Sequence, residues 1–477
     1  MIGRRKTWWC GSLLAAASAL AAQAAEAPIA PPPARLVPPP PVATSAPASP
    51  PATPSAAPAP AASPRAAAIR PAALPETPSD AAASSGEALT LDDWIRVARQ
   101  CNPELRQAGF EVQAAAGRAV QAGLYPNPTI SAEGSELGNR NGSGGFVTAP
   151  IVTQEIITAG KRRLSREVGE QAVDGARWRQ LARRIDVFTA VRREYFGLLA
   201  AQARVDIGEQ LVRMATEATE VTETLVRAGQ AAPLELTQIR VELNRFRAEL
   251  DDARQQRTAA WRRLAAVAGV PDLSEQPVSG SLETPWPTYE FASAQVRLVE
   301  SHPELRAARA EVVKAQLALR RARVEPVPNM VFGAGYERDN VDGQDQWVFR
   351  ASVPLPLFNR NQGAIEAAGA ELGRAGAEVD RVHNALIGRL ATAFGQYSAA
   401  CQRAERYRGS VLPDARQAYE LALGAFRAGQ LGYLGVLQAQ RALAETQLEY
   451  TRALTELWQA AAEIAGLLVE EQWPPSA

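Results

Sequence analysis

The chain has 477 residues, of which 51 are basic and 51 acidic, so its formal net charge is +0. This balance excludes the basic surface expected of a nucleic-acid-binding protein. The sequence holds only 2 His, 3 Cys and 3 Met residues, and none of them shows metal-ligand spacing. It also lacks a Ser/His/Asp constellation and a phosphate-binding loop. We therefore predict a protein that is not an enzyme and has no cofactor-binding or metal-binding residues.

The N-terminal residues are predicted to lie outside the folded part of the protein. Arg4, Arg5 and Lys6 precede an apolar run, which predicts a cleavable export signal over residues 1–24. Most of that run follows Cys10, the reverse of a lipoprotein signal, so we expect no lipid anchor. Residues 25–86 are almost entirely Ala, Pro, Ser and Thr, a composition typical of a disordered tether.

The remaining sequence is an internal duplication. The tetrapeptide RAGQ occurs at residues 227–230 and again at 427–430, and NPELR at 102–106 is matched by HPELR at 302–306. Both pairs have an offset of 200 residues. We therefore expect two repeats of the same layout, over residues 87–280 and 281–470, followed by a tail at 471–477.

Each repeat is predicted to begin with two helices separated by a capping residue. A short helix over residues 90–100 or 289–301 is followed by Asn102 or His302 and then by proline and glutamate. Proline fits the first helical turn, and an acidic residue there complements the helix dipole. We interpret His302 as the cap that Asn102 supplies in the first repeat, and not as a metal ligand.

A β-hairpin follows these helices in each repeat. Alternating apolar residues predict strands over residues 128–136, 146–157, 329–337 and 346–353. Neither repeat contains a stretch apolar enough for a membrane-spanning helix. A membrane could therefore be crossed only by strands, and four strands are too few to close without other copies of the chain.

A long helical hairpin completes each repeat. Residues 161–228 contain no proline, and at about 1.5 Å per residue a helix of that length would span on the order of 100 Å. RAGQ supplies the glycine at which such a helix ends. The returning helix has apolar residues at alternating steps of three and four, which indicates packed, supercoiled helices. The two RAGQ turns are thus the tips of antiparallel helical hairpins.

These features resemble the TolC-type outer-membrane factors of Gram-negative efflux and secretion systems, over roughly residues 88 to 470. The matching motifs are the repeat itself, the NPEL and HPEL helix starts, QEIITAGKRR, PLPLFNRNQG and both RAGQ turns. PLPLFNRNQG and TAGKRR look most like the branch that serves heavy-metal exporters of the cobalt-zinc-cadmium type. A periplasmic coiled-coil adaptor and a structural protein without a channel remain the alternatives, although neither accounts for two apolar-faced β-hairpins.

The resemblance implies a mainly α fold with a small β part. Long helical hairpins would form an α-barrel, and four transmembrane strands per chain would form a shared barrel in a homotrimer. The partners implied are a periplasmic adaptor, an inner-membrane pump and outer-membrane lipid, with the helices extending into the periplasm. The chain would passively conduct substrate, including heavy-metal cations.

Two groups of site residues follow from this interpretation. Because strand side chains alternate, Trp347 and Phe349 are predicted to face lipid, while Arg350 and Ser352 face the lumen. The hairpin tips would lie at the periplasmic mouth, where they would dock the adaptor or gate the entrance. The tip residues are Arg227, Gly229, Gln230, Arg427, Gly429 and Gln430.

Overall fold

The computed structural model describes residues 88–135, 146–340, 343–428 and 430–473. The predicted signal and tether, residues 1–24 and 25–86, lie outside this part of the chain. The first repeat consists of α1 (Leu91–Cys101), α2 (Pro103–Ala122), β1 (Thr129–Ser135), β2 (Phe146–Ile156), α3 (Lys161–Arg227) and α4 (Pro233–Ala268). The second repeat consists of α5 (Phe291–Ser301), α6 (Pro303–Val324), β3 (Met330–Asp339), β4 (Asp345–Ser352), α7 (Gln362–Arg406), α8 (Leu412–Arg427) and α9 (Tyr433–Leu467). The elements follow the same order in both halves, and the division into repeats at 87–280 and 281–470 stays a prediction.

The two capping residues act as predicted. Asn102 Oδ1 accepts a hydrogen bond from the backbone N–H of Glu104 at 2.8 Å. In the second repeat, His302 Nδ1 accepts one from the N–H of Glu304 at 3.3 Å. Both residues satisfy an N–H group that a helix terminus would otherwise leave without a partner.

The long helices of the two repeats differ in one respect. Helix α3 is continuous over 67 residues, whereas its counterpart contains a π-helical turn at Tyr407–Val411 between α7 and α8. Pro413 follows this turn and has no N–H to donate to the preceding helical turn. A single wide turn absorbs that defect without ending the helix.

Helix α3 lies at the centre of the helical packing. On the side of the sheet, α2 packs on α3, α3 on α6, and α6 on α7. On the side of the hairpin turns, α3 packs against α4 and α9, and α9 packs against α7 and α8. The long helices therefore hold the two repeats together along their length.

The main hydrophobic core lies between these two sets of helices. It is rich in aromatic residues: Trp94 packs edge-on against Trp261, and Phe196 stacks on Trp458 at 4.5 Å between ring centroids. Trp473, in the predicted tail, is also buried and packs against both Phe196 and Trp458. Residues 474–477 lie outside the described part.

The strands form one antiparallel sheet in the order β1-β2-β3-β4. The two predicted hairpins therefore join through β2 and β3. Within the described residues, none of the helices is both long enough and apolar enough to cross a membrane.

Candidate functional site: the sheet and the hairpin turns

The sheet separates its side chains into two different faces. Trp347 pairs with Tyr336 and Phe349 with Ala334, so these aromatic residues share a face. Trp347 is 71% exposed and Phe349 is 79% exposed. Arg350 pairs with Gly333, and Ser352 with Val331, on the other face. The predicted alternation is present, and the assignment of these faces to lipid and lumen stays a prediction.

The face that carries Arg350 is polar and internally hydrogen-bonded. Arg350 Nη1 lies 2.5 Å from a carboxylate oxygen of Glu133 on β1. Thr148 on β2 and Gln346 on β4 both donate to the carboxylate of Glu337, at 2.6 and 2.7 Å. Side chains of β2 and β4 thus both hydrogen-bond to Glu337 on β3. The Arg350–Glu133 contact joins the two edge strands, β4 and β1.

A partly buried polar cluster lies where the sheet meets the long helix. Lys161 is 3% exposed, and its Nζ lies 3.0 Å from Asn329 Oδ1. Asn329 Nδ2 in turn donates to Glu155 at 2.7 Å. Burial lowers the pKa of Lys161, as does the positive charge of Arg321, while Glu155 opposes both. Lys161 lies in the QEIITAGKRR motif. Its burial depends on a partner 168 residues away, so the neighbouring residues in the sequence do not predict it.

At the opposite end of α3 lies the first RAGQ turn. Gly229 has φ +70°, and the N–H of Gln230 donates back to the carbonyl of Leu225 at 2.8 Å. Both Arg227 and Gln230 are exposed. Arg227 Nε contacts a carbonyl of its own helix, that of Glu223, at 3.4 Å. This is the left-handed cap predicted for the glycine.

The second RAGQ turn uses the same backbone bonds. The N–H of Ala428 donates to Gly424 at 3.0 Å, and that of Gln430 donates to Ala425 at 2.9 Å. Arg427 and Gln430 are exposed, and Gly429 lies outside the described residues. Both tetrapeptides therefore end a helix and leave their arginine and glutamine at the surface. Their role in docking or gating stays a prediction.

The two hairpins contact each other close to these turns. Ile239 of α4 is buried against Tyr433, Val436 and Leu437 of α9. One turn further along α4, Glu242 is 4% exposed and forms a two-pronged ion pair with Arg441 of α9. Glu242 is therefore a buried carboxylate on a long helix. Its burial depends on a partner 199 residues away, which helical periodicity does not reveal.

A polar groove lies between α3, α7 and α9. It contains alternating arginine and glutamate side chains, and Arg389 lies 3.0 Å from Glu304 and 3.6 Å from Glu463. Arg403 forms a further ion pair with Glu456. Within the described ranges, no group of three or more His, Cys, Asp or Glu residues could hold a metal ion.

A family match covers both repeats. Residues 94–270 and 296–469 match the outer membrane efflux protein family. The chain belongs to this family. It is an outer-membrane efflux channel with a periplasmic extension, which decides against the adaptor and structural coiled-coil alternatives. Channels of this family work with an adaptor and an inner-membrane pump.

Similar proteins cover most of the chain. The cobalt-zinc-cadmium resistance protein CzcC of Cupriavidus metallidurans is 28% identical over 382 residues, which span 80% of this chain and 90% of CzcC. The pyoverdine export outer membrane protein OpmQ of Pseudomonas putida is 25% identical over 391 residues, spanning 76% of this chain and 82% of OpmQ. The sequence identity of this chain to a cobalt-zinc-cadmium resistance protein is therefore similar to its identity to a pyoverdine export protein.

Solved structures share the fold. The chain superposes on CusC with a TM-score of 0.68 and 18% identity, covering 79% of this chain and 91% of CusC. VceC from Vibrio cholerae gives a TM-score of 0.66 with 20% identity, covering 79% of this chain and 95% of VceC. The helical hairpins and small sheet are thus the architecture of outer-membrane channels.

Proposed function

We propose that this efflux protein is the passive outer-membrane duct of a heavy-metal exporter. The observation that carries the proposal is that the two ends of one long helix, α3, adjoin different structures: a small sheet at one end and an exposed turn at the other. A sheet with an apolar and a polar face precedes α3, and an exposed turn follows it 67 residues later. At about 1.5 Å per residue this separation is on the order of 100 Å. The similarity to CzcC supports metal cations as the substrate.

The duct requires three copies of the chain. Strands β1 and β4 each have one neighbour in the sheet, and an open strand edge is not tolerated in lipid. Side-by-side sheets of three copies would close into one barrel and remove these edges. Light scattering on detergent-solubilised protein should give a single trimer, and a stable monomer would end this proposal.

The apolar face of the sheet would contact lipid and the polar face the lumen. An arginine at the lipid face costs about 2 to 4 kcal/mol at the bilayer midplane. Phe349→Arg should therefore impair insertion into the outer membrane. The neighbouring Arg350→Glu should still insert and should change single-channel conductance. Equal effects of the two substitutions on insertion would contradict this orientation.

The exposed turns would dock the periplasmic adaptor or hold the entrance closed. Helix capping accounts for the glycines, but it does not require an arginine at the same place in both turns. Arg227→Glu combined with Arg427→Glu should abolish export and leave folding and the trimer intact. Arg213→Glu is a charge-matched control, since Arg213 is exposed on α3 and lies about 20 Å from the turn at about 1.5 Å per residue.

The two roles of the turns predict different measurements. Loss of cross-linking to the adaptor would identify docking, whereas raised conductance of the isolated channel would identify a gate. Normal export and unchanged adaptor affinity in the double variant would show that both tetrapeptides act only as helix-ending turns.

For the substrate, a strain that lacks the gene should become sensitive to cobalt, zinc or cadmium. Unchanged metal tolerance in that strain would argue against metal export.

A further inference from the structure

The connections between the sheet and the helices expose large apolar side chains at two places. These connections are residues 123–128, 157–160, 325–329 and 353–361. The first leads into edge strand β1 and the last leaves edge strand β4. These outer two carry the exposed side chains Leu124, Tyr125, Val353, Leu355, Leu357 and Phe358. Within the inner two, only Val327 is large, apolar and exposed. Apolar surface is therefore concentrated at the connections that adjoin the two sheet edges.

Residues 353–358, the apolar segment, have a restrained backbone. Pro354 and Pro356 fix their own φ angles. The segment is followed by Asn361, whose Nδ2 donates to the carbonyl of Ala322 on α6 at 2.8 Å. Phe358 nevertheless remains 92% exposed. A restrained segment loses little conformational freedom when it binds a partner, which favours association.

The apolar surface beside β1 is also held in place within the chain. The Cζ of Arg162 on α3 lies 3.7 Å from the centre of the Tyr125 ring. Its Nη1 donates to the carbonyl of Gly123 at 3.1 Å. These contacts fix the connection against α3, while Leu124 and Tyr125 stay exposed. A rigid apolar surface is thus available at this edge.

Both surfaces lie at the same end of the sheet. Thr129 at the start of β1 is in the same row as Arg350 near the end of β4, through the pairings of β2 and β3. The chain enters β1 from α2 and leaves β4 towards α7. Both apolar surfaces therefore lie beyond this row, on the side of the helices.

We propose that in the assembled channel the apolar segment of each copy packs against Leu124 and Tyr125 of the next copy. This inference rests on the proposed trimer, in which the β4 edge of one copy adjoins the β1 edge of its neighbour. Two different surfaces of one chain then meet head to tail, as a closed ring requires. The contact buries apolar side chains that a single chain leaves in water.

A lipid surface is the other possible occupant, and the inner connections argue against it. Lipid surrounds a closed barrel on all sides, so it favours apolar and aromatic residues all the way round. The inner connections are instead tied together by polar groups: Thr158 Oγ1 donates to the carbonyl of Pro328 at 2.7 Å. Apolar residues that recur only beside the edges match a neighbouring copy.

Photo-cross-linking of the full-length protein in outer membranes tests the contact. Phe358 is replaced by the photoreactive residue p-benzoylphenylalanine, which keeps an aromatic ring at this position. Irradiation should give covalent dimers and trimers on denaturing gels. Mass spectrometry should locate the cross-links at or near Leu124 and Tyr125 of a second chain.

The same replacement at Val327 is the matched control, because Val327 is exposed at the same end of the sheet but on an inner connection. This control should remain a monomer on the gel. If the Phe358 variant also remains a monomer while light scattering gives a trimer, the contact is wrong and the proposed duct stands. Cross-linking to a second chain from both positions would also contradict the contact. A monomer in light scattering would overturn both proposals.

Polar substitutions give a second readout. Leu124→Ser and Phe358→Ser should each lower the temperature at which the trimer dissociates in SDS, whereas Val327→Ser should leave it unchanged. Because the first two remove the same contact, their combination should lower that temperature by less than the sum of the single effects. Fully additive effects, or no effect of either substitution, would refute the contact.

Discussion

The capping histidine of the second repeat should make the stability of the protein depend on pH. His302 is 4% exposed, and its Nδ1 must be unprotonated to accept the hydrogen bond from Glu304. Burial lowers the pKa of His302 from 6.5 to about 4; Glu304 raises the pKa and Arg389 lowers it further. Other charged groups lining the same space are Asp186, Arg193 and Glu463.

The sign and size of the effect follow from the two pKa values. The folded-state pKa lies below the unfolded value, so the unfolded chain takes up the proton first as the pH falls. The stability that depends on the neutral ring is complete above pH 6.5 and is lost progressively towards pH 4. Each pH unit in this window changes the free energy of unfolding by about 1.4 kcal/mol. At a pH near 5 the free energy of unfolding should be about 2 kcal/mol per chain lower than at neutral pH.

The duplication supplies the control substitution. Asn102 caps α2 with the same geometry and does not titrate, so His302→Asn should keep the cap and remove its pH dependence. Urea unfolding of both proteins is followed by tryptophan fluorescence at pH near 7.5 and near 5, and the two losses of stability are compared. Other titrating groups contribute equally to both and cancel in the difference. An equal loss in the two proteins would refute this account of His302.

Two further predictions concern close contacts between helices. Gly169→Ala should destabilise the protein by about 1 to 3 kcal/mol, because the new Cβ would lie 2.7 Å from the Cα of Ala119. Gly117→Ala is the control with no heavy atom within 4 Å, and thermal melts should show it equal to or more stable than wild type. Arg441→Met should lower the free energy of unfolding by about 1 to 3 kcal/mol, because the buried Glu242 would lose its ion-pair partner. Arg441 is itself partly exposed, which keeps this loss moderate. Adding Glu242→Gln should recover part of that loss in urea unfolding, and no recovery would mean that packing, not charge, explains the cost.

Local patterns in the sequence predicted the elements of each repeat well. The prolines and capping residues at 102 and 302, the glycine turn at 229 and the alternation in β4 all depend on neighbours a few residues away. The length of α3 follows from the absence of proline. The π-helical turn before Pro413 was not predicted, because a proline within a helix can end, kink or widen it. Packing along the whole helix decides among these outcomes.

The duplication, the order of helices and strands and the two RAGQ turns can be predicted from the sequence, since each has a short-range physical cause. The contacts between distant residues are set by the folded structure. Lys161 is buried beside Asn329, Glu242 beside Arg441, and Glu133 reaches Arg350 across the sheet. The residues of each pair are separated by more than 160 positions in the chain. The local sequence around each of these charged residues is typical of a solvent-exposed position. Their environment depends on how α3 aligns the two repeats and how the strands order within the sheet, and these long-range arrangements leave no periodic trace in the chain.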